Sequence, residues 1–185
     1  AVSAPSAMNA RGRDIRAAIL RNAHGAATLA RVPIRQPPAI RRATRADLEA
    51  LLALEEATFA SDRISHAQWR RHVASPSAAV LVSGGPGEVD AAAVVFYRRH
   101  ARSARLYSIA VGAHARGAGL GATLLAAADA DALARGRESM RLEVRVDNPA
   151  AIALYERRGY VRTARLPQFY EDGADGWRYV KRLAR

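Results

Sequence analysis

Two clusters in this 185-residue chain combine residue types and spacings that can do chemistry. The first runs from Leu106 to Gly121. An apolar stretch, LYSIAV, leads into Arg116-Gly117-Ala118-Gly119-Leu120-Gly121 and then into a segment rich in alanine and leucine. A strand that breaks into glycines at a helix start presents backbone N–H groups to an anion, and small residues keep side chains out of the way of a pyrophosphate. Arg116 adds a fixed cation. A nicotinamide cofactor would want such glycines after the first strand of a βαβ unit, with an acid about 20 residues further on. Here the run is mid-chain, behind an antiparallel-looking meander, and no Gly-Lys-Ser/Thr is present for a nucleoside triphosphate. The second cluster, Leu142-Glu143-Val144-Arg145 followed by Asn148 to Tyr160, contributes a carboxylate, Glu143, and a phenol, Tyr155, both able to move protons.

The elements that must position these residues follow from periodicity and capping. Ile40–Ala43 reads as a short strand, and Thr44 with Asp47 as a capping box. Leu48, Leu51, Leu52, Leu54 and Phe59 form a helical stripe, and Ser65 caps a second helix through Val73. Ala78–Val82, Ala91–Tyr97 and Arg105–Val111 are strand-like, with Gly84-Gly85-Pro86-Gly87 turning between the first two. A helix follows from Gly119 to Ala134, and Met140 to Val146 alternates in polarity as a two-faced strand. Asn148 caps the next helix, with Pro149 at its first position and Gly159 stopping it. Tyr160–Ala164 and Trp177–Arg182 are the last strands. The order is strand, two helices, three strands, helix, strand, helix, two strands, a mixed α/β layout with too few βα alternations for a Rossmann fold.

Bulk properties narrow the rest. With no cysteine there is no disulfide, thiolate metal site or cysteine nucleophile, which fits a reducing, cytoplasmic setting. His66 and His72 are spaced wrongly for two ligands on one helix face, so no metal is expected. No run of about 18 apolar residues is present to span a membrane. The net charge is +12, and Lys181 is the one lysine among 29 basic residues. Such a charge suits an anionic cofactor and attracts polyanions such as RNA. Residues 1–38 carry six arginines against one acid, Asp14, and end in Pro37-Pro38. They read as a disordered basic arm with weak nonspecific RNA contact, although a short helix at Asp14–Leu20 and a transit-peptide-like composition are compatible with them. The folded domain is expected over residues 39–185.

The match to Arg/Gln-x-x-Gly-x-Gly/Ala is complete at Arg116, Gly119 and Gly121, and with the second cluster the chain resembles the GNAT superfamily of N-acetyltransferases. More narrowly, Leu142-Glu143-Val144-Arg145 followed by Asn148-x-x-Ala-Ile-x-Leu-Tyr-Glu-x-x-Gly-Tyr resembles the bacterial ribosomal-protein-alanine N-acetyltransferases. The resemblance runs from Ile40 to the C-terminus. It implies a mostly antiparallel sheet of six to seven strands, splayed at its centre and flanked by about four helices. It also implies acetyl-coenzyme A as co-substrate and a protein or peptide amine as acceptor, a ribosomal protein N-terminus first. Ile109, Ala110 and Val111 would line the pantetheine arm, with the Val111 N–H on the thioester carbonyl. Gly117, Ala118, Gly119, Leu120, Gly121 and Ala122 would cradle the pyrophosphate beside Arg116, and Asn148 would contact the cofactor arm. Tyr155 would protonate the departing thiolate. Glu143 would be the base, directly or through water.

The residues alone leave other readings open. Glu143 alternates with Arg141 and Arg145 and could serve a cross-strand salt bridge, and Tyr155 could be ordinary core. Tyr160 and Phe169 read as packing or acceptor-site lining, and the resemblance implies that the segment Thr58–Arg71, between the first two helices, shapes the acceptor pocket. A small-amine acetyltransferase would need an acidic pocket, for which Glu55, Glu56 and Asp62 are at hand. A non-catalytic acyl-coenzyme A sensor or an RNA-associated protein is the alternative outside enzymes.

Overall fold

The computed structural model describes residues 39–59 and 63–184, with the backbone of two three-residue strands nearer the N-terminus. The chain divides into two units, Ala1–Gln36 and Pro37–Arg185. In the first, β1 (Ile19–Arg21) pairs antiparallel with β2 (Ala27–Leu29). The helix expected over Asp14–Leu20 is therefore a strand at Ile19 and Leu20, and its remainder lies outside the described residues. The side chains of the basic arm, on which the RNA expectation rests, also lie outside them.

In the second unit the elements come in the expected order. They are β3 (Ile40–Arg42), α1 (Leu48–Thr58), α2 (His66–Ala74), β4 (Ala78–Ser83), β5 (Ala91–Tyr97), β6 (Ser103–Val111), α3 (Leu120–Ala134), β7 (Ser139–Arg145), α4 (Pro149–Arg157), β8 (Val161–Leu166) and β9 (Gly176–Arg182). They form one seven-stranded sheet in the order β3-β4-β5-β6-β7-β9-β8. Every pair is antiparallel except β6–β7, so α3 is the single crossover connection between parallel neighbours.

Strand alternation sends residues to two cores. One face packs Ala93, Val95, Leu106, Met140, Leu142 and Val144 against Leu124, Leu125 and Ala128 of α3 and Tyr155 of α4. The alanines of α3 bring that helix close to the sheet, where a larger residue would hold it off. The other face packs Val80, Val82, Val94 and Ala110 against Leu51 and Leu54 of α1 and Trp69 of α2. Both α1 and α2 lie over the β4–β6 half of the sheet. The β7, β9, β8 half of that face carries no helix among the described residues, and Val161 there is 66% exposed.

Asp47 ties the entry to α1 to the β4–β5 hairpin. Fully buried, it accepts from Arg41 Nη1 at 2.8 Å and Nη2 at 2.7 Å, from the Thr44 N–H at 2.7 Å and from the Gly87 N–H at 3.0 Å. The Arg41 guanidinium, aided by the two backbone donors, holds its carboxyl well below the usual carboxylate range. A lowered folded pKa gives stability that is full above the unfolded value of about 3.9 and is lost as pH falls through the folded one. Asp47→Asn is expected to cost about 2–4 kcal/mol at pH 7 in urea denaturation, with the gap to wild type narrowing below about pH 4. An equal loss at both pH values would contradict this role.

Candidate active site

The functional geometry begins where two strands part. β6 and β7 are paired from Ser103↔Ser139 to Leu106↔Leu142 and no further. Beyond that point β6 stays on β5 and β7 stays on β9. A bulge marks the spot. Leu106 pairs with Val95 and Ser108 with Val94, which leaves Tyr107 as the extra residue. A bulge bends a strand and turns its later residues to the opposite face. It swings Ile109, Ala110 and Val111 away from β7 and leaves the β7-facing edge of Tyr107–Val111 without a strand partner among the described residues.

The parted strand runs straight into the glycine turn. The carbonyl of Asp90 holds the Gly112 N–H at 2.8 Å, and His114 Nε2 lies 2.9 Å from Asp90 Oδ1. The β4–β5 hairpin thereby fixes where the turn begins. Gly117 and Gly119 have φ of +79° and +77°, a region L side chains rarely adopt, while a Cβ at either would meet open space. They are glycines because the backbone turns left-handed there, and the surface above them is clear. Gly121 has a different reason. A Cβ there would lie 3.3 Å from Leu154 Cδ2 and 3.7 Å from Val111 Cγ2, so its absence lets α3, α4 and β6 converge.

The first hydrogen bond of α3 runs from the Thr123 N–H to the Gly119 carbonyl at 3.0 Å. No side chain caps the helix, so the amides of Leu120, Gly121 and Ala122 have no intrahelical acceptor. Ala118 and Arg116 are exposed beside them, and Arg116 Nε reaches the Val111 carbonyl at 3.4 Å. These amides, the positive end of a helix dipole and a cation together suit an anion. Asn148 caps α4, its side-chain oxygen accepting from the Ala151 N–H at 3.1 Å, which leaves its amide NH₂ for any cofactor contact.

Glu143 and Tyr155 lie on opposite faces of the sheet. Tyr155 projects from α4 into the α3/α4 core, its ring 5.9 Å from that of Tyr160 and 6.4 Å from that of Tyr179. Burial, with the neighbouring Tyr170 phenol, raises its hydroxyl well above the ordinary tyrosine value and keeps it protonated. Glu143 alternates with the buried Leu142 and Val144 and so faces the other way. Its carboxylate is almost fully buried. Arg105 Nε of β6 reaches Oε2 at 2.8 Å, and Arg178 Nε of β9 reaches Oε1 at 3.2 Å. Glu143 therefore does make the cross-strand salt bridges its alternation with arginines suggested, one to each neighbouring strand.

The family model described as Acetyltransferase (GNAT) family matches residues 46–160, which takes in both clusters. The chain belongs to that family. Over 66 residues it is 44% identical to N-alpha-acetyltransferase 30 of Schizosaccharomyces pombe, covering 35% of this chain and 43% of the relative. Over 63 residues it is 38% identical to N-alpha-acetyltransferase MAK3 of Arabidopsis thaliana, covering 34% and 33%. The matches thus span less than half the length of these curated relatives. The crystal structure of the ribosomal-protein-S18-alanine N-acetyltransferase from Escherichia coli superposes with a TM-score of 0.70 at 26% identity, over 80% of this chain and 94% of that one.

The acetyl donor of GNAT enzymes is acetyl-coenzyme A, and the residues present fit it. The uncapped α3 amides with the clear surface over Gly117 and Gly119 suit its pyrophosphate, and the parting of β6 from β7 suits its extended arm. Replacing Arg116 by alanine is expected to weaken coenzyme A binding about tenfold in calorimetry and to reduce its salt dependence. Unchanged affinity would remove Arg116 from the site.

Within this GNAT domain several side chains have roles the sequence alone did not reveal. Glu55, read above as an acid for a small-amine pocket, is buried, and its Oε1 accepts the Ile64 N–H at 2.8 Å. Burial raises its pKa against the pull of that N–H and of Arg63. Its work is to hold the chain entering α2. Asp62, the third acid of that pocket, lies outside the described residues, and Glu56 is exposed. Tyr160 is core, its hydroxyl donating to Asp129 Oδ1 at 2.6 Å, whereas Phe169 is 41% exposed and edge-on to Tyr170.

Proposed function

We propose that this chain transfers the acetyl group of acetyl-coenzyme A to the N-terminal α-amine of a protein or peptide. The observation that carries the reading is the pair of proton-moving groups on opposite faces of the sheet, Glu143 on one and Tyr155 on the other, where β6 and β7 part. A direct transfer needs one group to take a proton from the incoming ammonium and a second, separately placed, to protonate the leaving thiolate. The α-amine as acceptor is supported by the relatives, two of them N-alpha-acetyltransferases and one a ribosomal-protein-alanine N-acetyltransferase. A ribosomal protein is the first candidate acceptor.

Coenzyme A supplies the activated thioester. The Val111 N–H, on the parted edge of β6, donates to the thioester carbonyl oxygen and stabilises the charge that develops there. Glu143 takes a proton from the incoming ammonium. Both of its oxygens are engaged by guanidiniums, which favours transfer through a water over direct contact. Tyr155, kept protonated by burial, gives its proton to the departing sulfur. Ile109 and Ala110 flank the arm, residues 116–122 hold the pyrophosphate, and the Asn148 amide contacts the arm.

The test is thiol release from acetyl-coenzyme A with peptides beginning Ala, Ser or Met, set beside spermidine. Turnover on the peptides is expected. Turnover on spermidine alone would overturn the acceptor, and coenzyme binding without any turnover would make the chain a sensor.

A further inference from the structure

Resting on the N-α-acetyltransferase reading, we propose that the acceptor carries an acidic side chain at its second position, received by Arg105 and Arg178. Each guanidinium uses its Nε on Glu143, at 2.8 and 3.2 Å. Their terminal amino groups have no hydrogen-bond partner among the described residues, and the two side chains are 30% and 36% exposed. Two half-open planar forks thus flank the carboxylate that takes the amine's proton, and such forks match a carboxylate in shape and charge.

The surroundings add to this. On the same face Arg141 stands two residues before Glu143, and Arg182 is exposed at the end of β9. Arg145, by contrast, is satisfied by Asp147 at 3.0 Å and Asp172 at 2.8 Å. Arg105 is oriented by Tyr107, whose ring centroid lies 5.4 Å from the guanidinium carbon and 4.9 Å from the Phe96 ring. Among the described residues no helix packs on this half of the face, which leaves room there for an extended chain.

A bare ammonium would approach Glu143 through a field dominated by arginine. An acidic side chain beside the amine reverses that repulsion. The reach is right, because successive residues of an extended peptide advance about 3.3–3.6 Å. An amine at Glu143 therefore brings the second side chain within range of forks whose Nε atoms already touch the same carboxylate.

The experiment uses the full chain, acetyl-coenzyme A and peptides identical except for Asp, Glu, Ala, Leu or Arg at position two. kcat/KM is expected to be at least about tenfold higher for Asp and Glu than for Ala, and lowest for Arg, with the spread shrinking as ionic strength rises. Arg178→Gln and Arg105→Gln should each compress the Asp-to-Ala ratio, and Arg178→Lys should retain part of it. The ratio is read because both arginines also touch Glu143. The wild-type series decides by itself if a variant does not fold. Equal rates across the wild-type series, or a preference for Leu or Arg, would overturn the proposal while leaving α-amine acetylation intact. Failure on every peptide despite coenzyme binding would remove both.

Discussion

Tyr155→Phe is expected to lower kcat at least a hundredfold, roughly, while coenzyme A affinity stays unchanged. The substitution deletes one hydroxyl from a ring that is 5% exposed and packed against Tyr160 and Tyr179, so the core keeps its shape. What is lost is a proton donor for the leaving thiolate. Because burial raises the phenol's pKa, its ionisation should not bend the wild-type rate profile below about pH 10. Near-wild-type kcat in the phenylalanine variant would return Tyr155 to an ordinary packing role.

Glu143→Gln should be as severe in kcat/KM, on the order of a hundredfold or more, and unlike Tyr155→Phe it should also cost stability. Glutamine keeps the volume but loses the charge that pairs with Arg105 and Arg178. Both arginines are about one-third exposed, so water relieves part of the penalty, and about 1–3 kcal/mol is expected in denaturant unfolding. Coenzyme A binding should persist, since the α3 amides lie at the other side of the parted strands. A stable variant with full activity would make Glu143 a bystander, and loss of stability with activity retained would make it a structural salt bridge alone.

The contrast between the two residues reflects what a one-dimensional pattern carries. Alternation and capping residues gave the order of elements, and Ser65, Asn148 and Gly119 do stand at the helix starts assigned to them. The glycine turn was legible because glycine marks unusual backbone. Strand pairing was not. Nothing in the local pattern of β7 says that β6 lies parallel on one side and β9 antiparallel on the other, so a cross-strand salt bridge of Glu143 was legible while its partners, Arg105 and Arg178, were not. The bulge at Tyr107 carries no glycine or proline to announce it. Glu55 reads from the sequence as an acid at hand for a small-amine pocket, yet it lies four residues after Leu51 and follows Leu54, on the buried face of α1. That i, i+4 relation was a signal in the sequence and pointed inward.

The most direct measurement places the acetyl group. A peptide with a free α-amine and one internal lysine is incubated with the chain and acetyl-coenzyme A, and the product is sequenced by tandem mass spectrometry. Acetyl on the α-nitrogen, absent when Glu143→Gln or Tyr155→Phe replaces the wild type, is the expected result. Acetyl on the lysine Nζ, or equal labelling by wild type and both variants, would contradict an α-amine acetyltransferase that works through these two residues.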